Sequence, residues 1–137
     1  MALSFGAVEV RKNEALRWNG VRWSLSHTPD PDGTASGDAQ DLTGASCLSR
    51  TNCWAVGQSG MQVQPTGVVT EALHWNGTKW AKVTTPDPAG AATNHVDQLF
   101  GVRCVTARDC WAVGNQDSGG PSHDLIVHWN GHTWSAS

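Results

Sequence analysis

The chain reads LTGASC at residues 42–47 and CWAVG at residues 53–57. The same order returns 57 positions later, as LFGVRC at 99–104 and CWAVG at 110–114, with five residues between the two stretches in each copy. A repeat at a fixed period of this length indicates a protein that is built from equal structural units.

A second block supports the same organisation, because it occurs three times. It reads LRWNG at 16–20, LHWNG at 73–77 and VHWNG at 127–131, and a tryptophan follows three residues after each copy. Asn-Gly between two strand-like runs is a strong hairpin signal, because both residues tolerate the positive φ of a type I′ turn. Each copy therefore predicts two antiparallel strands joined by a tight turn.

Each complete unit is predicted to hold four short strands, here called A to D. In the middle of the chain they cover residues 42–47, 54–57, 71–75 and 79–84. Prolines end strand D, because proline cannot donate to a strand ladder. No stretch has the 3.6-residue periodicity and end caps of a helix. Repeated four-stranded antiparallel units of this size are typical of β-propeller blades, so the predicted fold is all-β.

The number of blades is too small for a closed ring. Residues 1–28 hold a partial blade with strands B to D only, whereas 29–84 and 85–137 each hold a complete blade, which makes about 2.75 blades. A propeller closes with about four to eight blades. We therefore expect a homo-oligomer, most simply a dimer with about six blades, or a sector of a longer propeller. The predicted strands of the partial blade are residues 6–10, 14–18 and 22–25.

Four cysteines form two Cys-x5-Cys pairs at equivalent positions, each between strands A and B. The ends of a hairpin bring Cα atoms to the spacing of a disulfide, so we expect the bonds Cys47–Cys53 and Cys104–Cys110. The alternative is a zinc site, which needs four ligands in one place, whereas these pairs are expected one blade apart. Disulfides imply an oxidising compartment, hence a secreted or extracellular protein. The first residues lack an export signal, so an exported chain has lost its signal or derives from a longer precursor.

The composition argues against two classes of partner. The 137 residues carry a formal charge of −3, and the nine basic residues are spread thinly along the chain. We therefore expect no nucleic-acid partner and no anionic membrane surface as partner. No apolar run approaches the roughly 18 residues that a membrane span needs. Eight tryptophans beside no tyrosine are an unusual composition, and most of them recur with the repeat.

The two repeated blocks resemble a family of repeat proteins found in secreted actinobacterial sequences. The hairpin Trp-Asn-Gly-x-x-Trp is also similar to the Asp-box of sialidase-type and photosystem-assembly-type propellers, with Asn in place of Asp. Trp-Ala-Val-Gly followed by a Gly-x-x-Trp turn is similar to tectonin-type lectins. The resemblance implies a propeller fold. It does not assign an activity, because Asp-boxes occur in enzymes and in binding proteins alike.

The strand order places a ligand site on one face of the predicted disc. The A–B and C–D connections are tight and lie on one face, whereas the B–C loops (58–70, 115–123) and D–A loops (29–40, 86–97) on the other face are long and polar. Long loops on a rigid scaffold often carry function, although they are equally often solvated connectors. The candidate ligand residues are short polar side chains on this face: Asp41, Gln58, Asn94, His95, Asp97, Asn115, Gln116, Asp117 and His123.

The tryptophans are expected mainly in the core, where aromatic residues at equivalent positions let blades pack on each other. Trp23, Trp80 and Trp134 lie toward outer strands, so these three are the tryptophans that we expect a sugar to reach. Polar side chains near an aromatic ring suit the hydroxyls and the apolar face of a sugar. The sequence therefore predicts a non-enzymatic, lectin-like protein that binds glycans, and the alternative is a structural or protein-interaction scaffold.

No enzyme, cofactor or metal site is predicted. A glycosidase needs two carboxylates at a defined separation, and sialidase-type chemistry uses a tyrosine that this chain lacks. No Gly-x-Ser-x-Gly nucleophile motif occurs. His123, His128 and His132 are near each other in sequence, but His128 matches His74 and Arg17 in the repeat, which indicates a structural position.

Overall fold

The computed structural model describes residues 12–29, 38–61, 67–92 and 94–137. These residues form strands and connecting segments without a helix, which confirms the predicted all-β class. The predicted strand at 6–10 lies outside the described residues. The ten strands are β1 (Ala15–Trp18), β2 (Trp23–Ser26), β3 (Asp38–Ser49), β4 (Asn52–Met61), β5 (Val68–Trp75), β6 (Trp80–Val83), β7 (Val96–Thr106), β8 (Asp109–Asp117), β9 (His123–Trp129) and β10 (Trp134–Ala136).

The strands form three units in chain order. The first unit is the hairpin β1–β2, the second is the antiparallel meander β3–β6, and the third is the meander β7–β10. Equivalent residues pair in the same register: Trp18 lies opposite Trp23, as Trp75 lies opposite Trp80 and Trp129 opposite Trp134. One parallel bridge joins the second unit to the third. The described strands form open sheets rather than a closed ring.

The four-residue hairpin turns between strands C and D occur where they were predicted, but they are not type I′. Only the glycine has a positive φ, for example 101° at Gly77, and the Asn76 N–H donates to the carbonyl of Lys79. The side chain of Asn76 accepts from the N–H groups of Thr78 and Lys79. Asparagine is therefore used as a cap for the turn rather than for its tolerance of positive φ.

Strands A and B extend further than predicted. The A strands begin at Asp38 and Val96 rather than at residues 42 and 99, and the B strands reach Met61 and Asp117. The prediction was wrong here because polar side chains interrupt the alternation of apolar residues while the backbone ladder continues. Gly57 shows how close the backbones are, since a Cβ there would lie 1.8 Å from the Asp41 carbonyl oxygen.

Both predicted disulfides are present. Cys47 and Cys53 lie opposite each other with Cα atoms 4.0 Å apart, and Cys104 and Cys110 with Cα atoms 3.9 Å apart. No cysteine is free, so the zinc alternative is wrong. Two intramolecular disulfides in a chain of this size are typical of extracellular proteins.

The core lies between the second and third units. One face of the second unit, with Trp54, Val56 and Ala72, packs on third-unit residues that include Leu125 and Trp134. The ring of Trp54 lies 4.8 Å from Trp129 and 5.1 Å from Trp134, between centroids. A hydrogen bond from the Thr43 hydroxyl to the carbonyl of Leu99 joins the A strands. The two units therefore pack face to face through repeated tryptophans.

Candidate functional site

The polar candidates from the sequence lie at one end of the second and third units, mostly on strands instead of loops. Asp41 lies opposite Gln58 in the second unit, and Asp97 lies opposite Gln116 in the third. Asp97 is fully buried, and one of its oxygens accepts from the N–H of Ala89 at 3.2 Å. Burial raises the pKa of this carboxyl, and although the hydrogen bond from Ala89 lowers it, the nearby Asp87 charge adds to the rise. Asp97 is therefore held inside the protein rather than presented to a ligand.

The segment before β7 is held by hydrogen bonds within the protein. Thr70 donates its N–H to the Asp87 carboxylate at 2.6 Å, and its hydroxyl is 2.6 Å from that of Thr85. His95 accepts from the N–H of Val68 through its carbonyl, and its Nδ1 is hydrogen-bonded to the carbonyl of Ala89. These contacts fix the segment before β7 against the end of the second unit.

The remaining candidates at this end have separate surroundings and separate hydrogen-bond partners. Asp117 caps a turn by accepting from the N–H groups of Gly119 and Gly120, and the Gln116 amide donates to the carbonyl of Asp124. His123 and Asn94 are exposed, and Asn94 has a φ of 66°. Gln58 and Asn115 each bury their side-chain oxygen, which has no hydrogen-bond partner among the described residues. This end of the molecule is therefore a set of separate polar positions.

A cleft lies between the first unit and the second, beside the Cys47–Cys53 disulfide. It has a volume of about 650 Å³, and four tryptophans line it together with Arg17 and Arg50. Two of them, Trp23 and Trp80, are among the predicted ligand residues. The described residues that line the cleft are Ala15, Leu16, Arg17, Trp18, Asn19, Gly20, Trp23, Ser26, Cys47, Ser49, Arg50, Cys53, Trp75 and Trp80.

Trp134, the third predicted tryptophan, lies elsewhere. It is buried in the core against Trp54 and Trp129, and it also borders a second depression of about 450 Å³ near Pro86. The repeat-equivalent residues Trp23, Trp80 and Trp134 thus have unequal surroundings, because each unit has different neighbours.

The cleft has a structural origin in the repeat. Where the second unit meets the third, Trp54 fills the space beside Trp129 and Trp134. Trp75 and Trp80 are the equivalents of Trp129 and Trp134 in the second unit. Their ring centroids lie 5.7 Å apart, and no other described aromatic ring contacts them. Instead, the guanidinium of Arg17 lies 5.5 Å from the ring centroid of Trp75. Among the described residues, the contact between the first and second units thus has an arginine and a cleft where the contact between the second and third units has the packed indole of Trp54.

The cleft combines apolar ring faces with positive charge. Arg17 and Arg50 line it, and none of the described residues that line it is acidic, although the whole chain has a net charge of −3. Indole faces suit the apolar face of a sugar ring, and a guanidinium recognises a carboxylate with two parallel hydrogen bonds. Sequence reasoning missed Arg17, Arg50, Trp18 and Trp75. One signal was available, because Arg17 stands where the other two units have histidine.

The described residues offer no alternative centre for metal chemistry. Within the described ranges, no three His, Cys, Asp or Glu side chains come together as a metal site would require. His128 lies 2.9 Å from a carboxylate oxygen of Asp109, and His74 lies 2.8 Å from the side-chain oxygen of Asn52. The two histidines occupy equivalent places, each beside a tryptophan ring of its own unit.

Comparison with known proteins places the chain in no established family. No family model, curated protein or solved structure matches it. In the part of the chain that the structure describes, no helix is long and apolar enough to cross a membrane. The protein is thus defined by its own features, as a disulfide-bonded, all-β repeat protein with a tryptophan-lined cleft.

Proposed function

We propose that the chain is a secreted, non-enzymatic glycan-binding protein with propeller blades as its units, and that the cleft between the first and second units is its binding site. The observation that carries this proposal is the convergence of four tryptophans and two arginines on one cavity. The two disulfides support an extracellular location. The end of the second and third units where the sequence placed the site offers a weaker case, because several of its polar groups bond to the protein itself: His95, Asp97, Gln116 and Asp117.

The charge of the cleft selects the class of sugar. Arg17 and Arg50 give it two positive charges, and no carboxylate among the described lining residues neutralises them. A uronic acid or another carboxylated sugar would pair its carboxylate with a guanidinium and stack its ring on Trp75 or Trp80. The volume of about 650 Å³ is in the range of small-ligand sites. Acidic glycans are therefore the preferred ligands.

Titration calorimetry with a tetra-galacturonate and a neutral glucose tetramer tests this proposal. We expect the acidic probe to bind and the neutral probe to bind at least about tenfold more weakly, since loss of one charge-assisted pair costs about 1.4 kcal/mol or more. Arg17→Gln should reduce the difference between the probes, the double variant Arg17→Gln/Arg50→Gln should abolish it, and Trp80→Ala should weaken the binding of both probes. Arg103→Gln is the matched control, because Arg103 is exposed and outside the cleft.

Two outcomes would overturn the glycan-binding proposal. One is a folded protein that binds neither probe and no sugar on a glycan array. The other is binding that Arg17→Gln and Trp80→Ala both leave unchanged, which would place the site elsewhere. A blank array with intact assemblies would favour the second candidate function, a structural scaffold, for which the exposed apolar faces of the first and third units are the supporting observation.

A further inference from the structure

The two outermost units each expose an apolar sheet face. The face of the first unit, here the leading face, consists of Leu16, Trp18, Trp23 and Leu25, which are 50–70% exposed. These residues lie on one side of the hairpin, because Leu16 pairs with Leu25 and Trp18 with Trp23. Four large apolar side chains side by side in water are unusual for a surface without a partner.

The third unit also exposes an apolar sheet face, on the side of the sheet opposite to the residues that are equivalent to the leading face. Trp111, Val113 and Ile126 form this trailing face, and they are 40–50% exposed. Trp111 and Val113 alternate on β8, and Val113 lies opposite Ile126, so the three side chains share one side of the sheet. The leading and trailing faces thus belong to different units.

The interior of the protein shows what covers a trailing face. The equivalents of Trp111, Val113 and Ile126 in the second unit are Trp54, Val56 and Ala72, all at most 2% exposed. They are covered by the third unit through residues that include Val127 and Trp134. Within one chain, a face of the trailing type is therefore buried by a face of the leading type.

The residues that do the covering are the equivalents of the leading face. Val127, Trp129 and Trp134 stand in the repeat where Leu16, Trp18 and Trp23 stand in the first unit. The pairing is specific in shape, because Trp54 contacts both Trp129 and Trp134 at centroid distances near 5 Å. The exposed Trp18 and Trp23 keep a similar mutual arrangement, 5.6 Å apart compared with 5.9 Å for Trp129 and Trp134.

We propose that the trailing face of one copy packs on the leading face of a second copy, with Trp111 against the second copy's Trp18 and Trp23, as Trp54 packs within the chain. The contact is head to tail, so each copy has one face of each kind to offer. Two copies that make this contact twice form a closed pair with six units. The interface continues the face-to-face packing of the second and third units across the boundary between chains.

Analytical ultracentrifugation of the full chain tests this proposal. We expect a concentration-dependent species of twice the 14.6 kDa chain mass. Trp111→Glu and Leu25→Glu should each give a single-chain species, because a buried unpaired carboxylate at either face opposes the contact. Val105→Glu and Val21→Glu are the matched controls, since both residues are exposed and apolar but outside the two faces, and these variants should still associate.

An equimolar mixture of the two disrupted variants distinguishes the head-to-tail contact from a contact between like faces. The Trp111→Glu copy retains its leading face, and the Leu25→Glu copy retains its trailing face, so the mixture should recover the two-chain species through one intact interface. Near-ultraviolet circular dichroism and a thiol assay confirm that each variant is folded with its disulfides closed.

Three results would contradict the proposal in different ways. A wild-type chain that stays single at 200 µM overturns self-association, and a mixture that stays single overturns the head-to-tail pairing. Growth of mass with concentration beyond two chains supports the pairing of the faces and overturns the closed pair. Leu16, Trp18 and Trp23 belong both to the leading face and to the cleft, so assembly and glycan binding compete for them. Leu25 and Trp111 do not line the cleft, so galacturonate binding by the single-chain Leu25→Glu and Trp111→Glu variants separates failure of assembly from failure of the proposed glycan site.

Discussion

Trp54 and Trp111 provide a controlled measurement of what packing between units contributes to stability. The two residues occupy the same place in the repeat, but Trp54 is 2% exposed and Trp111 is 40% exposed. For a side chain that buries about 200 Å² when fully enclosed, this difference is about 75 Å², or about 2 kcal/mol at about 25 cal/mol per Å². Trp54→Ala also leaves a cavity beside Trp129 and Trp134, whereas water fills the surface site that Trp111→Ala leaves.

We therefore expect Trp54→Ala to lower the free energy of unfolding by at least about 2 kcal/mol more than Trp111→Ala does, with a total cost of about 3–5 kcal/mol. The assay is urea unfolding followed by far-ultraviolet circular dichroism, with disulfides intact. Both substitutions are made in a Leu25→Glu background, so that contact between copies does not add to the cost at Trp111. Equal costs for the two variants would refute the inference that the third unit is what stabilises Trp54.

Three further predictions concern individual groups. Burial lowers the pKa of His74, so the unfolded chain binds a proton at a higher pH than the folded protein does. The free energy of unfolding should therefore fall as pH drops below about 6.5. In urea unfolding, His74→Gln should make the free energy of unfolding depend less on pH in this range. Burial raises the pKa of Asp97, so the folded protein binds this proton more tightly than the unfolded chain does. The stability that the protonated carboxyl contributes is lost as pH rises through the raised pKa. Asp97→Asn should therefore be more stable than wild type at pH 7 and equal to it in acid, and a loss of stability at pH 7 would contradict this. Replacing Cys47 and Cys53 with serine should cost about 2 kcal/mol, because the bond closes a short loop; an unchanged urea midpoint would show otherwise.

The candidate site could be predicted only in part. Trp23 and Trp80 were found because their positions after the Asn-Gly turns place them on outer strands, and both line the cleft. Asp97 was selected as a short polar residue near a loop, but the extension of β7 buries it. A polar residue in a strand gives the same sequence signal whether it faces water or the interior. The role of Arg17 was missed because it depends on a neighbouring unit, not on its own strand.

The sequence by itself determined the units, the positions of the hairpins and the two disulfides. Each of these features depends on residues that are close together in the chain, such as Cys47 and Cys53, which are six positions apart. Each feature also occurs in more than one copy of the repeat. Only the tertiary structure decided which tryptophans are buried. Trp54 and Trp111 have the same local sequence, so their different exposure comes entirely from the unit that covers one and not the other. The cleft has the same cause, because it forms where one unit meets the next without a tryptophan to fill the space.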